Sequence, residues 1–152
     1  MKTFKLFFLL SLVCAISINL SAQNNAQKTK EEIKQALGHV PSFMEVVPDN
    51  MLPMAWEHFN SSSNPDNALP PKYVELIKLA VAAQIPCQYC IHAHETNAKA
   101  MGATDQEIKE AIMAAAWVRQ WSTIVQTTTM SMEDFKKEYE KIMNYMAEQA
   151  KK

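Results

Sequence analysis

Glycine and arginine are nearly missing from this 152-residue chain, which has two of the former and one of the latter, Arg119. Lys+Arg at 15 against Asp+Glu at 16 leaves a formal net charge of −1. A chain so balanced lacks the cationic surface that grips nucleic-acid phosphates. Three cysteines are too few for a densely disulfide-stapled mini-domain. Apolar and polar residues nowhere alternate over enough positions to make a half-buried strand. Beyond the N-terminus, no apolar run approaches the ~20 residues that cross a bilayer. At 48% hydrophobic content the chain can bury a core of its own, which excludes wholesale disorder.

The N-terminus reads as a secretory signal. Met1 to Lys5 carries two lysines, an apolar run follows from Leu6 to Leu20, and Leu20-Ser21-Ala22 places small residues ahead of Gln23. Cleavage is expected after Ala22, giving an exported, periplasmic or secreted chain without a membrane span. An uncleaved anchor is the lesser alternative. Cys14 leaves with the signal, so only Cys87 and Cys90 remain, in a compartment where thiols tend to be oxidised. The expected organisation is a signal peptide over 1–22, an N-terminal helical arm and loop over 23–66, and a helical core with a C-terminal helix over 67–152.

Everything after the signal reads as all-α. Four Ser or Thr residues are followed three places later by an acid: Thr29 with Glu32, Ser42 with Glu45, Thr104 with Glu107 and Ser131 with Asp134. Each pair can satisfy unpaired amides at the start of a helix. Gly38 and Gly102 follow apolar-periodic segments and suit the left-handed residue that ends a helix. The pattern predicts helices near 29–37, 42–47, 50–60, 71–84, 86–101, 104–126 and 131–149, with a loop around Ser61 to Asn67. Leu76 to Ile85 and Ala111 to Val118 are apolar nearly all round, as expected of a bundle centre or a subunit interface. In the last helix Met132, Phe135, Tyr139, Met143 and Met146 form one apolar face, expected to pack on the chain's own core, with subunit contact as the alternative. Phe43, Trp56 and Trp117 are expected in the core, and His39 and His58 at the surface.

The stretch that carries chemistry is Ile85-Pro86-Cys87-Gln88-Tyr89-Cys90-Ile91-His92-Ala93-His94. Pro86 suits the first position of a helix. On that helix, at about 100° per residue, Cys87, Cys90 and His94 share one face, and His92 points away. A thiol of ordinary pKa near 8.5 is only about 3% thiolate at neutral pH. A helix N-terminus contributes under one pKa unit, so an imidazole one turn away is needed to take the proton. Glu75, an acid in the apolar run Tyr73-Val74-Glu75-Leu76-Ile77, is a candidate relay whose pKa burial would raise. The bland reading of Glu75 is solvation or a pair with Lys78. Cys87, Cys90, His94 and Glu75 also form a zinc-compatible donor set, although structural zinc sites usually gather ligands from separated segments. Arg119, between Trp117 and Trp121, is expected to make an interface salt bridge or to stack on indole, with an acidic substrate group as the alternative.

Glu75, Cys87-Gln88-Tyr89-Cys90 and His94 together resemble the Glu…Cys-x-x-Cys-x-x-x-His pattern of the alkyl hydroperoxidase D (AhpD)-like branch of the carboxymuconolactone decarboxylase family. Gly38-His39-Val40-Pro41 and Gly102-Ala103-Thr104 resemble flanking segments of its members, so the likeness runs from about Gly38 to Val125. It implies an AhpD-like helical bundle, assembled as a homo-oligomer (trimer or hexamer). It also implies a dithiol that reduces hydroperoxides or exchanges disulfides with an unidentified thiol reductant, needing neither cofactor nor metal. In that family the cysteine placed as Cys90 is oxidised to a sulfenic acid, and the one placed as Cys87 donates a proton and closes the disulfide. The residues placed as Glu75 and His94 relay the proton. Two departures stand out. Tyr89 occupies a position where peroxidases of the family often carry histidine, and family members are usually met in the cytoplasm. Decarboxylation fits poorly, because that branch does not depend on the cysteine pair. A general disulfide-exchange role or a non-catalytic zinc- or ligand-binding module are the alternatives.

Overall fold

The computed structural model describes residues 23–61, 64 and 66–151, and the segment expected to be a signal peptide, 1–22, lies outside them. The described residues form helices, turns and bends, with no strand among them. They are α1 (23–37), α2 (Ser42–Glu45), α3 (Leu52–Ser61), α4 (Pro71–Gln84), α5 (Gln88–Ala100), α6 (Asp105–Gln126) and α7 (Met132–Gln149). The chain divides into two compact units, Met1–Pro71 and Lys72–Lys152. Among the described residues, no helix is long and apolar enough to cross a membrane.

In the first unit, Ile33 of α1, Met44 of α2, and Leu52 and Trp56 of α3 form a buried cluster edged by Val40 and Val47. Gly38, at φ +81°, closes α1 in the left-handed conformation, and its N–H donates to the Lys34 carbonyl at 2.9 Å. Two capping expectations fail here. Thr29 lies inside α1, buried, with its hydroxyl donating to the Asn25 carbonyl at 2.9 Å. Pro41, not Ser42, is the N-cap of α2, with no side-chain cap bond. Trp56 is buried as expected, whereas Phe43 is 58% exposed, its ring 6.2 Å from that of Phe59.

The second unit carries the chemistry-bearing residues. Leu79 of α4, Ala98 of α5 and Ile108 of α6 make its buried cluster, with Leu76, Ile91 and Ala103 packed against it. Burying a leucine as fully as Leu79 contributes about 1.5–3 kcal/mol, so this small cluster fixes the α4–α5–α6 arrangement. Gly102, at φ +85°, ends α5. Thr104 then opens α6 with a complete capping box: its hydroxyl accepts from the Glu107 N–H at 3.1 Å, and the Glu107 carboxylate accepts from the Thr104 N–H at 2.8 Å. Lys72 reaches the same carboxylate at 2.8 Å, tying the start of α4 to the start of α6. Ser131 caps α7 by accepting from the Asp134 N–H.

The rest of α6 and all of α7 depart from expectation. Trp117, placed in the core by its sequence context, is 56% exposed, and no residue of α7 is buried. Instead, Trp117, Val118, Trp121 and Val125 of α6 line an open apolar groove with Phe135 and Tyr139 of α7. On α6 the buried cluster holds Ile108, and Ala115 is the last buried residue of that helix, so the groove lies beyond the core.

Candidate active site

Helix α4 ends at Gln84, and the turn Ile85-Pro86 hands the chain to α5. Sequence placed Pro86 at the first helical position, but α5 starts at Gln88 and Cys87 is its N-cap. The reason is local. The Cys87 sulfur accepts the Cys90 N–H at 3.3 Å, taking the capping role, while the Cys87 N–H returns to the Ala82 carbonyl at 3.2 Å. Cys87 therefore sits just outside the helix. Cys90 and His94, at i and i+4, share a face within it.

Cys87 and Cys90 are joined by a disulfide, their Cα atoms 5.3 Å apart. Both are half-buried, so the sulfurs are neither sealed in the core nor fully open to solvent. One turn on, His94 Nδ1 lies 2.8 Å from Glu75 Oε2 on α4. Glu75 is 3% exposed and is fully engaged: Lys78 Nζ donates to its Oε1 at 2.8 Å and Asn97 Nδ2 to its Oε2 at 3.3 Å. Glu75 pairs with Lys78, and it also contacts His94. The same carboxylate makes both.

This network reverses one electrostatic expectation. Burial does push the Glu75 carboxyl upward, and it is the largest single influence. The hydrogen bonds from Lys78, His94 and Asn97, together with the Lys78 charge, outweigh it and hold the group below its usual range. Glu75 is thus an ionised acceptor. A carboxylate cannot donate, so in a neutral His94 ring the proton sits on Nδ1 and the Nε2 lone pair is the free one. Chemically, the arrangement suits a neutral His94 to accept a proton at Nε2 while Glu75 orients the ring.

His92 is exposed, as its helical angle implied, and His39 and His58 are at the surface. Arg119 does not stack on indole; its Nε donates to Gln84 Oε1 at 2.8 Å. Asn97, three residues after His94 on the same face, escaped the sequence reading, although its spacing could have signalled it. Among the described residues, no group of three His, Cys, Asp or Glu is arranged to hold a metal ion.

The carboxymuconolactone decarboxylase family model matches residues 52–129, from the start of α3 to just past α6. The chain belongs to the carboxymuconolactone decarboxylase family. The AhpD core from Rhodospirillum rubrum, named an alkylhydroperoxidase, superposes with a TM-score of 0.62 over 78% of this chain and 90% of that one, at 24% identity. The fold is therefore AhpD-like. "Uncharacterized protein 4 in cox locus" from Paracoccus denitrificans is 43% identical over 54 residues, which is 36% of this chain and 49% of that protein. The match thus spans about half the length of that relative.

Proposed function

We propose that the chain is an exported thiol-dependent oxidoreductase that reduces hydroperoxides through a Cys87–Cys90 dithiol/disulfide cycle. One juxtaposition carries the reading. Two half-exposed sulfurs meet at the start of α5, one turn from an imidazole whose Nδ1 is held by a buried, ionised carboxylate. The alkylhydroperoxidase fold of the Rhodospirillum rubrum neighbour supports the same chemistry.

In the cycle, His94 accepts the Cys90 proton at Nε2 and Glu75 holds the resulting imidazolium. The Cys90 thiolate attacks the terminal oxygen of the peroxide. An S–O bond forms, the O–O bond breaks, and the alkoxide leaves as alcohol with the proton from His94. Cys87 then attacks the sulfenic sulfur, displacing hydroxide as water and closing the disulfide. The dithiol loses two electrons and the peroxide gains them. An external thiol reductant returns them, giving its own disulfide and the reduced protein. Neither cofactor nor metal enters these steps.

Tyr89, 90% exposed between the two cysteines, favours a second reading. It offers an aromatic surface to a disulfide-bearing polypeptide, making general disulfide exchange the substitute reaction. The exposed apolar groove between α6 and α7 supports assembly as a homo-oligomer, and the family resemblance suggests a trimer or a hexamer. Stopped-flow mixing of the reduced protein with hydrogen peroxide and with an organic hydroperoxide tests the proposal. Saturable consumption with stoichiometric loss of two thiols is expected. Inertness to both peroxides, with rapid reaction toward protein disulfides, would transfer the assignment to the second reading.

A further inference from the structure

Cys87 reaches its capping position from a turn of two residues, Ile85 and Pro86, that hangs on the last residue of α4. That residue, Gln84, is held to α6 three times over. Its Nε2 donates to the Ala115 carbonyl at 2.8 Å, its Oε1 accepts from Arg119 Nε at 2.8 Å, and its carbonyl oxygen accepts from Arg119 Nη2 at 3.5 Å. The last of these is one of the terminal carbonyls that a helix leaves without an internal partner. A guanidinium suits it, being a fork of donors and a cation at the negative end of α4. Beyond the turn, the Cys87 N–H is tied back to Ala82. The segment bearing the first sulfur is thus fixed on both sides, by α4 behind it and by α6 across it.

The geometry points to Arg119 as a positioning residue for the dithiol: through Gln84 it fixes the turn that delivers Cys87 to the N-cap of α5 and so raises the effective concentration of one sulfur at the other. This rests on the reading that Cys87 and Cys90 cycle. Two sulfurs already held in bonding geometry form their disulfide with little loss of freedom, whereas a slack turn must be ordered each time. Arg119 accordingly acts on the dithiol–disulfide equilibrium and touches neither peroxide nor sulfur.

The test is equilibration of the full-length protein with reduced and oxidised glutathione. The protein dithiol gives two electrons and two protons to glutathione disulfide, one S–S bond forms in the protein, one breaks, and two glutathione thiols result. Arg119→Ala and Gln84→Ala are each expected to lower the equilibrium constant about threefold to tenfold, tenfold being about 30 mV for this couple. Because both act through one contact, the double variant should fall no further than the worse single. Arg119→Lys, which keeps one donor for Gln84 Oε1, should recover part of the loss. Were the residue merely structural, folded variants would equilibrate like the parent. Constants within roughly 1.5-fold of the parent in folded Gln84→Ala and Arg119→Ala, or losses that multiply in the double variant, overturn the proposal. A parent protein that never equilibrates with glutathione would instead remove the cycling itself, taking the clasp with it.

Discussion

A buried carboxylate with a cation and an imidazole on either side is at once a structural and a chemical element, and Glu75 is both. The sequence disclosed the residue, because an acid inside Val74-Glu75-Leu76-Ile77 needs a reason. It did not disclose the direction of its pKa, since burial and hydrogen bonding act oppositely and only the geometry of Lys78, His94 and Asn97 decides between them. Glu75→Gln should slow peroxide consumption by about 10²-fold or more, because His94 loses the anion that supports its protonated form. The same network implies a pH dependence. With its folded pKa below the unfolded value, Glu75 contributes stability above the ordinary carboxylate range, and this contribution fades as acid protonates it. Urea midpoints of the parent and Glu75→Gln should therefore converge on acidification. A gap that widens toward low pH would contradict the assignment.

At the scale of helices, local signals were legible where nothing competed with them. Thr104 and Ser131 follow turns and precede periodic apolar runs, and both cap as their spacing implied. Thr29 carries the same signature, but no breaker stands between Gln23 and Lys28, so α1 runs through it and its hydroxyl bonds backward. Cys87 shows the opposite case: a sulfur, not a usual capping atom, displaced the helix start by two residues from Pro86. Thr104→Ala should cost about 0.5–2 kcal/mol in chemical denaturation. Glu107, in the same box, is held at about 2, first by the Lys72 hydrogen bond and then by the Thr104 amide. Its stabilising share is complete above the unfolded carboxylate pKa and is lost as pH falls toward 2. Between pH 5 and pH 2, Glu107→Gln should consequently lose less stability than the parent.

For the whole molecule, the sequence could give the all-α architecture and the helix carrying the dithiol, because helical periodicity and punctuation are local. It could not tell whether an apolar stripe meets its own chain or another. The stripe from Met132 to Met146 and the run from Ala111 to Val118 look equally core-like in one dimension, yet Val118 is 71% exposed and Met132 68%. In the proposed homo-oligomer this surface would be buried against further copies of the chain. Val118→Glu places a charge in that groove. Light scattering is expected to find the parent as a trimer or hexamer and this variant as a single chain with unchanged helical circular dichroism. A parent that remains one chain at working concentration would leave the groove's composition unaccounted for by self-assembly.

Peroxide oxidation followed site by site asks most directly whether Cys90 carries the reaction. Reduced Cys87→Ser is treated with a slight excess of hydrogen peroxide, trapped with a sulfenic-acid reagent and mapped by mass spectrometry, alongside Cys90→Ser. The account predicts one trapped oxygen adduct on Cys90 in the first variant and no peroxide consumption by the second. An unmodified Cys90, or a Cys90→Ser protein that consumes peroxide at the parent's rate, would contradict it.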